Sequence, residues 1–263
     1  MLMKQADLRH FRDNYQIDDW KSADRSCHTM AVQYGIKNFE TLLEFPNLRN
    51  LFLPEVNPQK LDIVSRLTQL EQLEISSMRS VTSLEPLASL RNLQLLSLGI
   101  SFKEFDLEPL GQLTNLRILA IAISMGSGVN GGKAFCPTFA PLANLQDLEY
   151  LELFAIKPRD NTLQPISKCK KLKLLDICNM YSLEDYACLA ASLPNAEGLF
   201  QTPYYQPTRD DFICNKCGCR DEYILFGVKR RTSICAKCEK HKLYEHIARF
   251  EQLKLKYRMV KDE

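Results

Sequence analysis

The sequence predicts an α/β solenoid, a curved parallel sheet with short helices or turns outside it, followed by a small cysteine-rich tail with a C-terminal helix. Three observations predict it. A Leu-x-x-Leu-x-Leu step occurs at Leu48/Leu51/Leu53, Leu70/Leu73/Ile75, Leu93/Leu96/Leu98, Leu116/Leu119/Ile121, Leu148/Leu151/Leu153, Leu172/Leu175/Ile177 and, in degenerate form, at Ala196/Leu199. The steps start 22, 23, 23, 32, 24 and 24 residues apart, the period of one small structural unit per step. Five of the ten cysteines crowd between residues 214 and 238, outside the ladder.

Each Leu-x-Leu fits a short strand, whose alternate residues point to opposite faces, so the leucines of every step share one buried face. Segments such as Leu84-Glu-Pro-Leu87-Ala-Ser-Leu90 and Leu107-Glu-Pro-Leu110-Gly-Gln-Leu113 return along the outer side as a short helix or 3₁₀ turn. Proline fits there because the N–H it lacks has no partner in a first helical turn. One repeat cannot bury its own apolar face; stacking supplies the core, and the ends need caps. Residues 1–47 read as the N-terminal cap, with Phe39, Leu42, Leu43 and Phe45 at helical spacing, and residues 48–202 as the array. From roughly residue 30 to 202 the step and its period resemble the leucine-rich repeat family. The pattern departs from that family two residues past each strand. Val56, Met78, Ser101, Ser124, Ile156 and Met180 stand where asparagine is usual, so no asparagine ladder is expected there and the subclass stays open.

The 263 residues suffice for one large or two unequal domains, and 45% hydrophobic with 25% charged residues is ordinary for a soluble chain. No run of 18 apolar residues occurs, and the first twenty lack the apolar stretch of a signal peptide, so a cytoplasmic location is expected. Disulfides are rare in that compartment, which leaves the cysteines as thiols or metal ligands. Cys27, Cys136, Cys169, Cys178 and Cys188 are scattered through the array and read as small apolar residues. Charge is uneven: residues 203–263 hold 14 Lys and Arg against 9 Asp and Glu, a net +5, which leaves −3 for the rest of a +2 chain. The proline-punctuated polar stretch at 203–211 reads as a linker to the tail, 212–263.

Cys214-Asn-Lys-Cys217-Gly218 and, 17 residues later, Cys235-Ala-Lys-Cys238 form two Cys-x-x-Cys knuckles at four-cysteine zinc spacing. Each knuckle brings two thiolates to one turn, and a hairpin that joins two knuckles closes a tetrahedral shell. Tyr223-Ile-Leu-Phe-Gly-Val228 supplies the apolar strand for such a hairpin, and the segment resembles a zinc ribbon. A structural zinc on Cys214, Cys217, Cys235 and Cys238 is the expectation, with Cys219 and His241 as substitute ligands. Four thiolates leave no open position for zinc catalysis. Paired disulfides fit poorly with a cytoplasmic chain, and a redox Cys-x-x-Cys would be expected beside a βαβ pattern that is missing here. Beyond them, Leu243, Ile247, Phe250, Leu253 and Tyr257 share one helix face, expected to dock on the ribbon or the last repeat in preference to a partner.

Residues that alternate with the core leucines face the concave side. One column is Asn50, Gln72, Leu95, Ile118, Tyr150, Leu174 and Gly198; the next is Phe52, Glu74, Ser97, Ala120, Glu152, Asp176 and Phe200; beside them lie Pro54, Ser76, Gly99, Ala122, Phe154 and Cys178. Leu95, Ile118, Tyr150, Leu174 and Phe154 make an apolar stripe with Phe52 and the acids Glu74, Glu152 and Asp176 nearby, the pattern of a binding surface. The competing reading is that the N-terminal arm or the tail covers this stripe. The insertion Met125-Gly-Ser-Gly-Val-Asn-Gly-Gly-Lys133 accounts for the 32-residue step and reads as a lip at the rim, or an idle loop. It is no phosphate loop: the Gly126-to-Lys133 spacing is one residue too long and Ala134 replaces the required hydroxyl.

No catalytic constellation forms around the four histidines, His10, His28, His241 and His246, so the chain is read as a non-enzyme. The expected function is a protein-binding module that grips a protein partner on its concave face. Small leucine-rich-repeat proteins with short tails resemble bacterial immunity proteins, and that resemblance implies a toxin as the partner. The alternative is a nucleic-acid or ribosome-associated adaptor that uses Lys229-Arg230-Arg231 on the ribbon with Lys254, Lys256 and Arg258 on the helix, disfavoured by a shortage of exposed aromatics for base stacking.

Overall fold

A computed structural model describes residues 15–124, 132–207, 212–228 and 232–259. The strands of the array are β1 (Gln16–Ile17), β2 (Thr29–Val32), β3 (Asn50–Leu53), β4 (Gln72–Met78), β5 (Leu95–Ile100), β6 (Ile118–Ile123), β7 (Ala134–Cys136), β8 (Tyr150–Phe154), β9 (Ile156–Pro158) and β10 (Leu174–Ile177). Eight of them form one all-parallel sheet in the order β1-β2-β3-β4-β5-β6-β8-β10. Leu51, Leu73, Leu96, Leu119, Leu151 and Leu175 are consecutive register partners, and all six are fully buried. The sheet also runs into the segment read as a cap, since β2 pairs with β3 and β1 with β2.

The outer side is built mainly of 3₁₀ turns, at Phe39–Glu44, Glu85–Ser89, Leu110–Gln112, Ala140–Asn144 and Gln164–Lys168. Proline opens three of these turns and caps a fourth, Leu110–Gln112, as Pro109. Two returns are α-helical. In α1 (Pro58–Val64) the Asn57 side chain accepts from the Lys60 N–H, and in α2 (Leu183–Ser192) Ser182 and Asp185 form a reciprocal capping box.

Where asparagine is missing, the backbone itself continues the pairing. Val56 bridges Met78, Glu104 bridges Phe135, and β7 pairs with β9, making a second parallel strip behind the concave sheet. Val56, Met78 and Ile156 are fully buried, so these positions serve the core, while the Val56 N–H reaches the Ser77 carbonyl at 2.9 Å. Side-chain ladders occur instead just before the strands, where the Asn92 and Asn115 amides donate to the Thr68 and Arg91 carbonyls one repeat back, both at 2.9 Å.

The degenerate seventh step departs from its expected role. Only a bridge, Leu174 to Glu197, extends the sheet, and the chain turns at Gly198 (φ 151°), where a Cβ would lie 2.3 Å from the Leu175 carbonyl oxygen. The turn exchanges the faces: Phe200, expected on the concave side, is fully buried, and Leu199, expected in the core, is exposed.

The proline-punctuated stretch after the array is not merely a connector. Its β11 (Tyr204–Tyr205) joins β12 (Glu222–Leu225) and β13 (Thr232–Cys235) in a three-stranded antiparallel sheet, followed by α3 (Lys240–Met259). The helical stripe docks on both candidate surfaces. Leu243 and Ile247 pack with Leu225 and Ile234 of the ribbon, whereas Phe250 and Leu253 join the core of the array. Tyr257 donates to Glu184 of α2 at 2.9 Å and Lys256 pairs with the same carboxylate. Tyr205, Phe226, Tyr186 and Tyr181 touch ring to ring in series across the joint, the first two contacts tilted and the last edge to face. Asn179 clamps the hairpin, its amide donating to the Leu225 carbonyl and its oxygen accepting from the Gly227 N–H.

Gly227 sits in the left-handed region (φ 70°), and a Cβ there would fall 2.2 Å from the Leu183 nitrogen. Gly227→Val is expected to cost about 2–4 kcal/mol by combining backbone strain with overpacking at the joint. Gly218→Ala, also at positive φ (68°) but with open space around it, should cost about 1 kcal/mol. Equal thermal unfolding of the two variants would contradict the close approach of ribbon and array.

Candidate metal centre and binding surface

Two knuckles converge at the end of the ribbon because β13 delivers Cys235 opposite Glu222 while the turn at Gly218 (φ 68°) folds the first knuckle back. The sulfurs of Cys214, Cys217, Cys235 and Cys238 all lie within 4.8 Å of one another. Cys214 to Cys238 is 3.9 Å and Cys217 to Cys235 is 3.7 Å. A tetrahedron with metal–sulfur bonds of about 2.3 Å has edges of about 3.8 Å, so four thiolates in this arrangement fit a zinc-sized ion. The backbone N–H groups of Cys238 and Lys237 point at the Cys235 sulfur and pull its thiol down to about 6 despite burial. Sharing of hydrogen bonds with Cys217, together with burial, holds Cys238 up at about 12. A cation among the sulfurs would resolve this contest by favouring the thiolate at all four. Cys219 contacts Asp221 instead, and neither it nor His241 belongs to the cluster. Of the scattered cysteines, Cys136, Cys169 and Cys188 are buried and Cys27 and Cys178 half-buried; burial raises Cys136 to about 12 and Cys169 to about 11.

On the sheet, register places Asn50, Gln72, Leu95, Ile118, Tyr150 and Leu174 side by side, and likewise Phe52, Glu74, Ser97, Ala120, Glu152 and Asp176. Phe154 neighbours Ala122, which neighbours Gly99. The residues are not equally available. Phe52, Glu74 and Leu95, read from sequence as contact residues, are 5%, 7% and 7% exposed and offer little surface. Phe52 and Glu74 instead line a cleft of about 340 Å³ with Gln16, Ala31, Val32 and Tyr34, because β1 and β2 extend the sheet at this end. Ile118, Tyr150, Leu174, Glu152 and Asp176 are half-buried, and Phe154 is 55% exposed. The accessible apolar surface therefore lies toward β6, β8 and β10. Burial, and then the neighbouring Asp176, raise the Glu152 carboxyl above its ordinary range.

A groove of about 730 Å³ runs along the rim where the strands begin, lined by Arg49, Glu71, Arg117, Glu149 and Lys171 among others. It is a ladder of surface ion pairs. Lys173 and Arg117 share Glu149 and hold its carboxyl below the ordinary range. Pairs this exposed stabilise little, and their charges satisfy one another.

Residues 125–131 of the insertion, and Lys229, Arg230 and Arg231, lie outside the described residues. Two of the three basic residues read on α3 are paired, Lys254 with Glu251 and Lys256 with Glu184; Arg258 lies in the last turn of the helix. Sequence reasoning missed a group of aromatics, because it put Tyr204 in the linker, Tyr223 in a strand and Tyr244 nowhere. Tyr204 and Tyr223 meet at 5.2 Å, edge to face, and Lys240 lies over the Tyr244 ring at 5.4 Å. Among the described residues no helix is long and apolar enough to cross a membrane.

Solved structures similar to this chain include internalin C2 of Listeria monocytogenes, at 21% identity over 74% of this chain and 73% of that one, with a TM-score of 0.45. Another is the TLR13–ssRNA13 complex, at 18% identity, 65% and 25% coverage and a TM-score of 0.48. A third is the plant peptide hormone receptor RGFR1 in complex with RGF2, at 16% identity, 64% and 27% coverage and a TM-score of 0.44. The chain spans about a quarter of the matched chain in each of the last two structures. No protein-family model and no curated protein matches the sequence. The repeat period, the level leucine rows and the all-parallel sheet with short outer turns make the fold a leucine-rich-repeat solenoid with a small cysteine-bearing tail.

Proposed function

We propose that the concave face binds a protein partner without catalysis, and that the tail holds a structural zinc. The observation that carries the first part is the run of Ile118, Tyr150 and Leu174 on adjacent strands, with Phe154 standing 55% exposed beside it. A sheet face meant only for water has no use for a contiguous apolar row, and such rows mark contact surfaces. Glu152 and Asp176 alongside favour a partner segment that bears positive charge. The finer form of this reading is an inhibitor of immunity type, whose partner is a toxin; its support is the resemblance in architecture alone.

Ile118→Glu combined with Tyr150→Ala tests the surface. Tyrosine truncation at an interface centre costs about 2 kcal/mol or more, and a buried unpaired carboxylate adds a desolvation cost. At least about a hundredfold weaker binding is expected, read by calorimetry against the isolated partner, with thermal unfolding nearly unchanged. Unchanged affinity would move the binding site off the concave face. For the immunity reading, the isolated partner must also lose its activity in stoichiometric complex with this chain.

A further inference from the structure

The ribbon carries a second surface that the concave reading leaves unused. Tyr204 and Tyr223 lie half-buried on the side of the small sheet that packs against the start of α3, and Tyr244, one turn into that helix, is 55% exposed. The Lys240 ammonium sits 5.4 Å from the Tyr244 ring centre. Lys216 and Lys237 occupy the same position in the two knuckles, both exposed. Among the described residues none of these three lysines is in an ion pair, whereas three of the acids nearby are engaged, Glu239 with Lys242, Glu222 with Ser233 and Asp221 with Cys219; Glu245, next to Tyr244, is exposed.

Residues 212–244 hold eight Lys and Arg against three Asp and Glu, a net +5. A divalent ion on four thiolates removes roughly two of those charges and leaves the surface cationic. Aromatic rings interleaved with lysines form a stacking platform with phosphate contacts beside it. Duplex readout fits poorly, because α3 is docked along α2 and cannot enter a major groove as a free helix. An acidic protein would use the lysines but not the ring faces. We infer that this face of the ribbon binds single-stranded nucleic acid, with bases stacked on Tyr244 and Tyr223 and phosphates held by Lys240, Lys237 and Lys216.

The test uses the full zinc-loaded chain and a fluorescently labelled 12-nucleotide oligothymidine, followed by anisotropy over a salt series. Binding is expected to weaken linearly in log–log form, with a slope of about −2 for three phosphate contacts. Tyr244→Ala should weaken it at least about fivefold at every salt concentration, and Tyr223→Leu, which keeps the apolar packing, should do the same. Lys237→Ala with Lys240→Ala should flatten the slope by about 1.4. Zinc content equal to wild type confirms the fold of each variant. Failure to bind, or an unchanged affinity in both tyrosine variants, overturns the inference. So does displacement of the oligonucleotide by polyglutamate of equal charge at equal concentration, which would mark an acidic protein as the ligand. The concave variant Ile118→Glu/Tyr150→Ala should bind the oligonucleotide like wild type, so this result and that of the protein-partner test stand apart.

Discussion

Chelation of zinc at neutral pH is expected to unfold the ribbon, free α3 and loosen the last repeat, while strands β3 to β6 keep their protection against hydrogen exchange. The ribbon's own core is only Leu225, Ile234 and Leu243, with Tyr204, Tyr223 and Ile247 packed at its edge. That is little apolar surface to order three short strands and a knuckle pair, and under the proposed zinc reading the metal supplies much of the difference. Four thiolates on zinc contribute on the order of 10 kcal/mol to a small domain. The loss does not stop at the knuckles. Phe226 and Phe250 belong to the core of the array, and Gly227, Asn179 and Glu184 tie ribbon and helix to the final repeat. In a solenoid each repeat depends on its neighbour, so removing the terminal cap exposes the one beneath it first. Metal analysis should find one equivalent of zinc in the purified chain. Less than half an equivalent, or chelation that leaves far-UV circular dichroism and exchange unchanged from 204 to 259, would falsify the assignment.

Much of this was legible in the sequence, for reasons that differ by element. Leucines at 51, 73, 96, 119, 151 and 175 recur in the same Leu-x-x-Leu-x-Leu step, and the step determines which residue stacks on which even across the 32-residue spacing; the leucine rows stay in register, with a shift only after Ile75 in β4. Two Cys-x-x-Cys knuckles read as one cluster because two thiols on one turn have few other uses. Burial on the concave side was not legible: alternation gives the face of Phe52, Glu74 and Leu95 but not what shields it. Gly198 misled as well, since one backbone turn exchanged Leu199 and Phe200 between core and surface without disturbing the local Leu spacing. The tyrosine group escaped because Tyr204, Tyr223 and Tyr244 stand 19 and 21 residues apart and meet only when the hairpin closes. Antiparallel pairing joins distant residues, whereas a solenoid joins those one period apart, so the tail hides more from its sequence than the array does.

Phe250→Ala is expected to cost about 3–5 kcal/mol, the range for deleting a fully buried phenylalanine side chain. The ring has no exposed surface and lies in the array's core, although its helix belongs to the tail. It therefore measures whether α3 is an appendage or the true end of the solenoid. The chain's single tryptophan makes the distinction readable. Trp20 is 7% exposed against Phe39 and Phe45 near β1, at the opposite end of the sheet. Circular dichroism weighs the 20-residue α3 heavily, while tryptophan fluorescence reports the far end. If α3 caps the array, the helical transition should fall by about 6–20 °C at two to four degrees per kcal/mol. The Trp20 transition should fall with it by a smaller amount, because coupling between repeats passes only through nearest neighbours and weakens along the stack. Met259→Ala, at a position 72% exposed on the same helix, should move neither transition. A helical transition that drops while Trp20 stays fixed would confine the tail's stabilising effect to the last repeats; an unshifted helical transition would mean that Phe250 does not seal the core at all.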